Sequence, residues 1–248
     1  MTRTTCPVRV AHVITGLGIG GAEMTLLRML GATDRRRIDP LVIALTDGEL
    51  AGAIRDLDVP VFALRATRGP LAVRVPVQLA NLLRRERPDV VQTWMYHADL
   101  VGGLAARAAR VPVVTWGIRQ GDMSAATTRR STRVVARVCA RISARVPDRI
   151  VCCTAGAAQA HAAIGYDQSR MVVIPNGVAV PAVPGDARER VRRRFDIAAD
   201  ALVVARVARW HPHKDYPALL AAFEEVVARE PRAVLLAVGR GVDRAAPE

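Results

Sequence analysis

The sequence contains almost no lysine: Lys214 is the only one, and the other 35 of its 36 basic side chains are arginines. Aromatic residues are scarce as well, at 4% of 248 residues, and no basic segment is interleaved with aromatic side chains as in surfaces that stack nucleic-acid bases. No nucleic-acid partner is therefore expected. The net charge of +13 instead indicates other anionic partners, such as phosphorylated substrates or anionic lipid.

Long apolar runs are also missing. No stretch approaches the roughly 18 uninterrupted apolar residues of a membrane-spanning helix, and the N-terminus lacks the apolar segment of a signal peptide. The four cysteines have no metal-ligand spacing. We therefore expect a cytoplasmic protein with no metal site and no cofactor, which would be peripheral on the inner face of the plasma membrane if it binds lipid.

The sequence does contain Val- and Ile-rich runs that alternate with helical patterns. The predicted strands are Val8–Ile14, Leu41–Thr46, Val59–Leu64, Val90–Trp94, Val111–Trp116, Arg149–Cys153 and Met171–Ile174. The helical patterns between them are Ala22–Leu30, Gly52–Leu57, Leu71–Arg85, Ala98–Ala109, Thr127–Arg145 and Ala155–Ala163. Such alternation is typical of a parallel sheet covered on both faces. It predicts an α/β, Rossmann-like domain over residues 1–177.

Prolines mark the end of this domain. Pro175-Asn176-Gly177 is a turn signal and two more prolines follow, so residues 178–186 are predicted to form an interdomain hinge. Beyond it come helix Ala187–Phe195, strand Ala201–Val207, helix Tyr216–Arg229 and strand Ala233–Val238. Two strands and two helices are too few to close a core, so residues 187–248 are expected to form an incomplete second domain.

Ligands of parallel α/β sheets bind where strands end and helices begin. The first such turn carries Gly16, Gly18 and Gly21 in G-x-G-x-x-G order, which suits a dinucleotide or any ligand that needs close approach to the backbone. His97 and Arg119 are predicted to lie in the loops after the fourth and fifth strands and to project into one crevice.

A further strand-to-helix loop carries two cations five residues apart, Arg209 and Lys214. Lysine supplies a compact, mobile point charge and arginine a rigid planar fork, so a loop with both at a helix start suits a diphosphate.

The helical pattern Thr127–Arg145 has a basic flank without acidic residues. Its arginines recur at every fourth position: Arg129, Arg133, Arg137, Arg141 and Arg145. The apolar residues Val134, Val135, Val138 and Ile142 are predicted to occupy the other side. The flank is either a solvated face or a surface that binds an anionic membrane.

The order of the short motifs carries more information than any one of them. Gly20-Gly21-Ala-Glu, Gln-Thr-Trp94, His97-Ala-Asp, Trp-Gly-Ile-Arg119, Pro-Asn176-Gly-Val and Arg209-Trp-His-Pro-His-Lys214 follow one another along nearly the whole chain. This series resembles glycosyltransferase family 4, of the GT-B fold, and especially members that build exopolysaccharides and capsules.

The resemblance implies a retaining, metal-independent transfer of a hexosyl group from a nucleotide sugar to a saccharide or a lipid-linked saccharide. Arg209 and Lys214 would bind the donor diphosphate, with Gly20 and Gly21 beside it. His97 would approach the reacting sugar as the catalytic residue, while Arg119 and Trp94 would face the acceptor.

The family's Glu-x7-Glu motif, which binds the donor sugar and ribose, does not occur in the sequence. Three alternatives therefore stay open: an inactive remnant that binds acceptor or membrane, a nucleotide-sugar epimerase, and an NAD enzyme.

Overall fold

A computed structural model describes residues 6–64, 74–121, 123 and 128–242. The chain forms two compact units, Met1–Ala179 and Val180–Glu248. The boundary between them lies within the segment 178–186 that the sequence marks as a hinge. Whether this segment flexes stays a prediction.

Unit 1 is built on a seven-stranded sheet whose paired strands all run parallel. The strands are β1 (Val8–Ile14), β2 (Ile38–Ala44), β3 (Val61–Ala63), β4 (Val90–Trp94), β5 (Val113–Ile118), β6 (Arg149–Cys152) and β7 (Met171–Val173). They lie in the order β3-β2-β1-β4-β5-β6-β7, so the chain reverses its direction across the sheet between β1 and β4. This is the Rossmann order, and ligands bind at the carboxyl ends of the strands beside the reversal. The predicted α/β, parallel-sheet class is confirmed.

Helices cover the two faces of this sheet. They are α1 (Gly21–Gly31), α2 (Leu50–Arg55), α3 (Val75–Glu86), α4 (Tyr96–Ala108), α5 (Arg130–Ile142) and α6 (Ala155–Ala163). Alternate side chains of β1 enter different cores, because successive residues of a strand point to opposite faces. Val13 packs in the cluster that includes residues of α3 to α6, and Ile14 packs with α1 and α2.

Several boundaries differ from the predictions. β2 begins at Ile38 and continues through Pro40, whereas the sequence placed its start at Leu41. At Pro40 the strand pairs with β1 alone, since pairing with β3 begins at Val42, and proline is tolerated on such an edge. α5 ends at Ile142, so Arg145 lies beyond it. The predicted starts of helices at Leu71 and Thr127 lie outside the described residues.

Unit 2 contains α7 (Ala187–Arg194), β8 (Leu202–Val207), α8 (Tyr216–Arg229) and β9 (Ala233–Val238), with β8 and β9 paired in parallel. Three of its described hydrophobic residues are buried, namely Ala201, Tyr216 and Ala233. The apolar side chains of β8 stay exposed, up to 80% at Val207. Two strands and two helices thus cover little of the apolar surface that they carry. In neither unit is any described helix long and apolar enough to cross a bilayer.

Candidate functional site

The glycine-rich turn between β1 and α1 is fixed at one end and open at the other. Leu17 is fully buried, and its carbonyl accepts a hydrogen bond from the amide of Leu50 at 2.9 Å. Gly16 is required by packing, since a Cβ there would lie 2.6 Å from Oγ1 of Thr46. A Cβ on Gly18 or Gly21 would meet no atom within 4 Å. The backbone of residues 18–21 therefore presents an open surface at the carboxyl edge of the sheet.

The N-terminus of α1 already has a carboxylate beside it. Gly20 is the N-cap residue, in extended conformation and without a side chain to cap the helix. A Cβ on Gly20 would overlap the Glu23 carboxylate, which belongs to the first turn of α1. This negative charge opposes an anion at the helix start. The turn is better suited to sugar hydroxyl groups than to a phosphate.

A sharp turn at Met95 connects β4 to α4. Met95 has φ 69° and ψ 162°, a region that is normally open only to glycine, and such residues often mark functional sites. Its amide donates to the carbonyl of Gly117 at 2.9 Å, and its carbonyl accepts from the amide of Asp99 at 2.8 Å. These bonds fix the end of β4 against the end of β5.

His97 follows this turn as the second residue of α4. The prediction that it lies in a loop before a helix starting at Ala98 is therefore wrong, because the turn at Met95 lets the helix begin at Tyr96. The side chain is half-buried, and burial lowers the pKa of the imidazole below its ordinary value. His97 is thus neutral at pH 7, and it can exchange hydrogen bonds with a hydroxyl group.

Asp99 secures the same turn from inside. It is fully buried, and its Oδ1 accepts hydrogen bonds from Thr93 Oγ1 at 2.5 Å and from the Gly117 amide at 3.4 Å. Its Oδ2 has no hydrogen-bond partner. Burial raises the pKa of this carboxyl to about 7.

Arg119 leaves the end of β5 and stacks on a buried tryptophan. Its guanidinium lies 4.7 Å from the ring centre of Trp94, and its Nη1 donates to Oδ1 of Asn176 at 2.6 Å. Trp94 is fully buried, and its Nε1 donates to Nδ1 of His12 at 3.4 Å. Burial lowers the pKa of His12 to about 4, so this imidazole stays neutral and accepts the bond. His12, Trp94, Arg119 and Asn176 form one continuous column.

The column changes the expected role of Trp94. The sequence predicted that its side chain faces an acceptor together with Arg119. In the structure its side chain is part of the core and has no exposed surface. Trp94 therefore supports Arg119 from beneath, and the guanidinium is the group of this pair that a ligand can reach.

The basic flank differs from the prediction in its apolar residues. Val134 is 51% exposed and lies among the arginines, whereas it was predicted on the opposite side. Val135 and Ile142 do pack against the core. Five arginines of this region are exposed, namely Arg129, Arg130, Arg137, Arg141 and Arg145, while Arg133 is half-buried. In the part of the chain that the structure describes, none of the six forms an ion pair.

In unit 2, the loop between β8 and α8 is held by aromatic contacts. Trp210 and Tyr216 stack with their ring centres 4.9 Å apart, and the Tyr216 hydroxyl donates to the carbonyl of Ala208 at 2.6 Å. The following loop contacts it as well, since a Cβ on Gly239 would overlap the Ala208 carbonyl. The loop thus has a defined shape although most of unit 2 is exposed.

Arg209 and Lys214 lie at the two ends of this loop and are both exposed. Lys214 ends a short 3-10 turn, Pro212–Lys214, in which its amide donates to the carbonyl of His211 at 2.7 Å. Asp215 then caps α8 by accepting from the Ala218 amide at 3.3 Å. Neither the Arg209 nor the Lys214 side chain has a charged partner among the described residues. Two free cations thus precede a helix of 14 residues.

Sequence reasoning missed two contributors to unit 1. His12 reads as one more residue of an apolar strand, and Asp99 reads as a first-turn carboxylate of a helix. Their partners are distant in the sequence, 82 residues away for His12 and Trp94. No local pattern indicates such contacts.

The sequence comparisons agree on one family. The model for Glycosyltransferase Family 4 matches residues 19–181, more than half of the chain. The UDP-Gal:alpha-D-GlcNAc-diphosphoundecaprenol alpha-1,3-galactosyltransferase of Escherichia coli is 24% identical over 252 residues, which cover 97% of this chain and 64% of that protein. The chain thus spans less than two thirds of this relative's length.

Solved structures show the fold. HepE of Anabaena, in complex with UDP and glucose, matches with a TM-score of 0.73 and 20% identity, over 93% of this chain and 61% of that one. A UDP-GlcNAc 2-epimerase of Neisseria meningitidis bound to UDP-GlcNAc matches with a TM-score of 0.55 and 12% identity, over 93% and 65%. At such identities the likeness speaks for the GT-B-type fold and not for either activity.

The family model is the more specific result. It spans in one continuous match Gly20 and Gly21, the turn that carries His97, and the Arg119–Asn176 contact. On this match the chain belongs to Glycosyltransferase Family 4.

Proposed function

We propose that this chain provides the acceptor-side domain and the diphosphate-binding loop of a glycosyltransferase. The enzyme would transfer a sugar from a nucleotide-sugar donor to a saccharide or lipid-linked saccharide during synthesis of cell-surface polysaccharide. The observation that carries the proposal is the loop 208–215, which presents two exposed cations without charged partners at the start of α8. The donor and acceptor in the name of the E. coli relative, and the UDP in the HepE structure, support these substrate classes.

The chemistry follows from where charge develops. When the bond from the anomeric carbon to the diphosphate breaks, negative charge builds up on the leaving diphosphate. Arg209 and Lys214 would stabilise this charge without a metal ion, and more strongly in the transition state than in the ground state. A neutral His97 would bind a hydroxyl of the reacting sugar, and the open backbone of Gly20 and Gly21 would leave room beside the donor. The transfer would proceed with retention.

The test is binding of UDP to the purified chain by titration calorimetry. Lys214→Ala and Arg209→Ala should each weaken binding roughly ten- to a hundredfold, the effect of losing one charge-assisted hydrogen bond. Lys214→Arg should also weaken it, because a planar fork cannot replace a point charge at the same place. The double variant should lose less than the sum if both cations hold one diphosphate.

Arg229→Ala is the matched control, since this arginine is exposed at the end of α8 in the same unit. Equal affinity of Lys214→Ala and wild type for UDP would remove the donor loop from the proposal. Incubation with UDP-sugars with and without a saccharide acceptor then separates the activities. A glycosyltransferase forms a new glycoside only with acceptor, whereas an epimerase changes the sugar without one.

The basic flank supports a membrane surface as a further partner. Its five exposed arginines have no acidic neighbours to neutralise them, and the exposed Val134 provides apolar area among them. Basic and apolar side chains on one helix face are typical of helices that lie on anionic lipid. A lipid-linked acceptor would be reached from such a surface.

A further inference from the structure

Arg119 is a partly buried cation whose charge no described residue neutralises. Its Nη1 bonds to Asn176, a neutral amide, and its Nε is buried without a hydrogen-bond partner. No carboxylate among the described residues forms an ion pair with it. Burial lowers the pKa of this guanidinium, as expected where solvent is displaced and no anion replaces it.

Such a charge is costly to keep in a fold. Removing a cation from water disfavours the folded state unless an anion or a set of hydrogen bonds compensates. Trp94 offsets part of the cost through its ring face, but a cation–π contact uses the face of the guanidinium and leaves its N–H groups at the edge free. The unused Nε therefore has the geometry of a donor that waits for an acceptor from outside the chain.

Arg119 opens into a groove in unit 1 of about 1150 Å³. α1 contributes Arg28 to its lining, and Arg37 precedes β2. Asp34 is the one carboxylate in the lining, and it pairs with Arg36 and not with any of these three arginines. The remaining lining is largely apolar, with Val10, Met29 and Ile174 among it. Cationic groups in an apolar groove complement a ligand that carries a phosphate on a hydrocarbon chain.

We propose that the guanidinium of Arg119 binds a phosphate group of the acceptor, and that the hydrocarbon attached to that phosphate lies in the adjoining groove. This inference rests on the proposed function, since it assigns the chemical class of the acceptor. Trp94 and, behind it, His12 are positioning residues that hold the guanidinium in place. Asn176 holds the other end and contributes no charge that would compete with the phosphate.

Direct binding of three probes to the whole 248-residue chain tests the proposal. The probes are farnesyl diphosphate, farnesol and inorganic pyrophosphate, and binding is measured by calorimetry without any donor. The wild type should bind farnesyl diphosphate more tightly than either of the others. Arg119→Gln should weaken it by roughly tenfold or more, the effect of losing a charged hydrogen-bond donor. Arg119→Lys, which keeps the charge but not the planar fork, should recover part of the affinity.

Arg55→Gln makes the same change at an exposed arginine at the end of α2 and should bind as the wild type does. Failure of the wild type to prefer farnesyl diphosphate over farnesol would overturn the proposal, as would an unchanged affinity in Arg119→Gln. A loss in Lys214→Ala equal to that in Arg119→Gln would put the diphosphate on the donor loop and also overturn it. Pyrophosphate that binds as tightly as farnesyl diphosphate would assign the site to free phosphate and not to a lipid.

Failure of the proposed function is detected separately. Absence of sugar transfer from UDP-sugars would remove that function while these three affinities stay as measured. Loss of the Arg119 dependence would instead leave the donor loop untouched.

Discussion

The buried carboxyl of Asp99 predicts an unusual pH dependence for the stability of unit 1. The ordinary pKa of this group is 3.8, and burial raises it to about 7. The native state therefore holds the proton more tightly than the unfolded chain does. The stability that the protonated carboxyl contributes is fully present below pH 3.8, and it is lost as the pH rises through 7.

The magnitude follows from the size of this shift. At about 1.36 kcal/mol per pKa unit, the part of the shift that lies above pH 4.5 corresponds to on the order of 3 kcal/mol. Asparagine has the same shape, keeps an oxygen for the Thr93 hydroxyl and does not ionise. From pH 4.5 to pH 8, the free energy of unfolding of Asp99→Asn should therefore rise relative to that of the wild type by this amount.

Urea unfolding at both pH values, followed by tryptophan fluorescence, measures the difference. Trp94 and Trp116 are buried in unit 1 and report on its unfolding. Asp58→Asn is the matched control, because Asp58 is an exposed carboxylate in a turn whose positive φ of 56° asparagine also tolerates. A difference between Asp99→Asn and wild type that stays constant with pH would refute the reasoning that burial holds this proton.

Three further predictions concern other parts of the chain. Binding to vesicles of anionic lipid should weaken as salt rises and should be largely lost when Arg130, Arg137 and Arg141 are replaced by Gln; equal binding of wild type and triple variant in a flotation assay would return the flank to a solvated face. Limited proteolysis should cut within residues 178–194 and leave unit 1 as a stable fragment, and mass spectrometry of the first products would contradict this if they ended inside β1 to β7. Gly103→Ala should destabilise the protein by about 1–3 kcal/mol, because its Cβ would lie 2.6 Å from Nε1 of Trp116, whereas Gly52→Ala, with no atom within 4 Å, should not destabilise it in thermal unfolding.

Much of the fold could be predicted from the sequence because its periods are regular. The bounds of β1, β4, α8 and β9 agree with the predicted ones. These segments are apolar runs or helical patterns bounded by charged residues, glycine or proline, so local preference and packing favour the same structure. Where they conflict, prediction failed. Pro40 looked like the end of a loop, yet a strand with one neighbour accommodates it.

The candidate site could be predicted less well, for a reason that is also local. The sequence placed His97 and Arg119 at neighbouring strand ends, but the start of α4 depends on a backbone conformation at Met95 that methionine rarely adopts. This conformation is held by bonds to Gly117 and Asp99, which belong to other elements of the fold. In the same way, the burial of Trp94 beneath Arg119 depends on how β1, β4 and β5 lie side by side. Residue type and spacing do not contain this information.

The exposed turn that ends at Lys214 has a practical consequence for labelling chemistry. Because the chain has a single lysine, an amine-reactive ester can acylate one side chain and the terminal amine, and no other primary amine. A fluorophore or spin label placed there would sit on the loop 208–215 without any engineered cysteine. The rate of acylation at Lys214, read by peptide mapping with and without UDP, would then report occupancy of this loop in the unmodified protein.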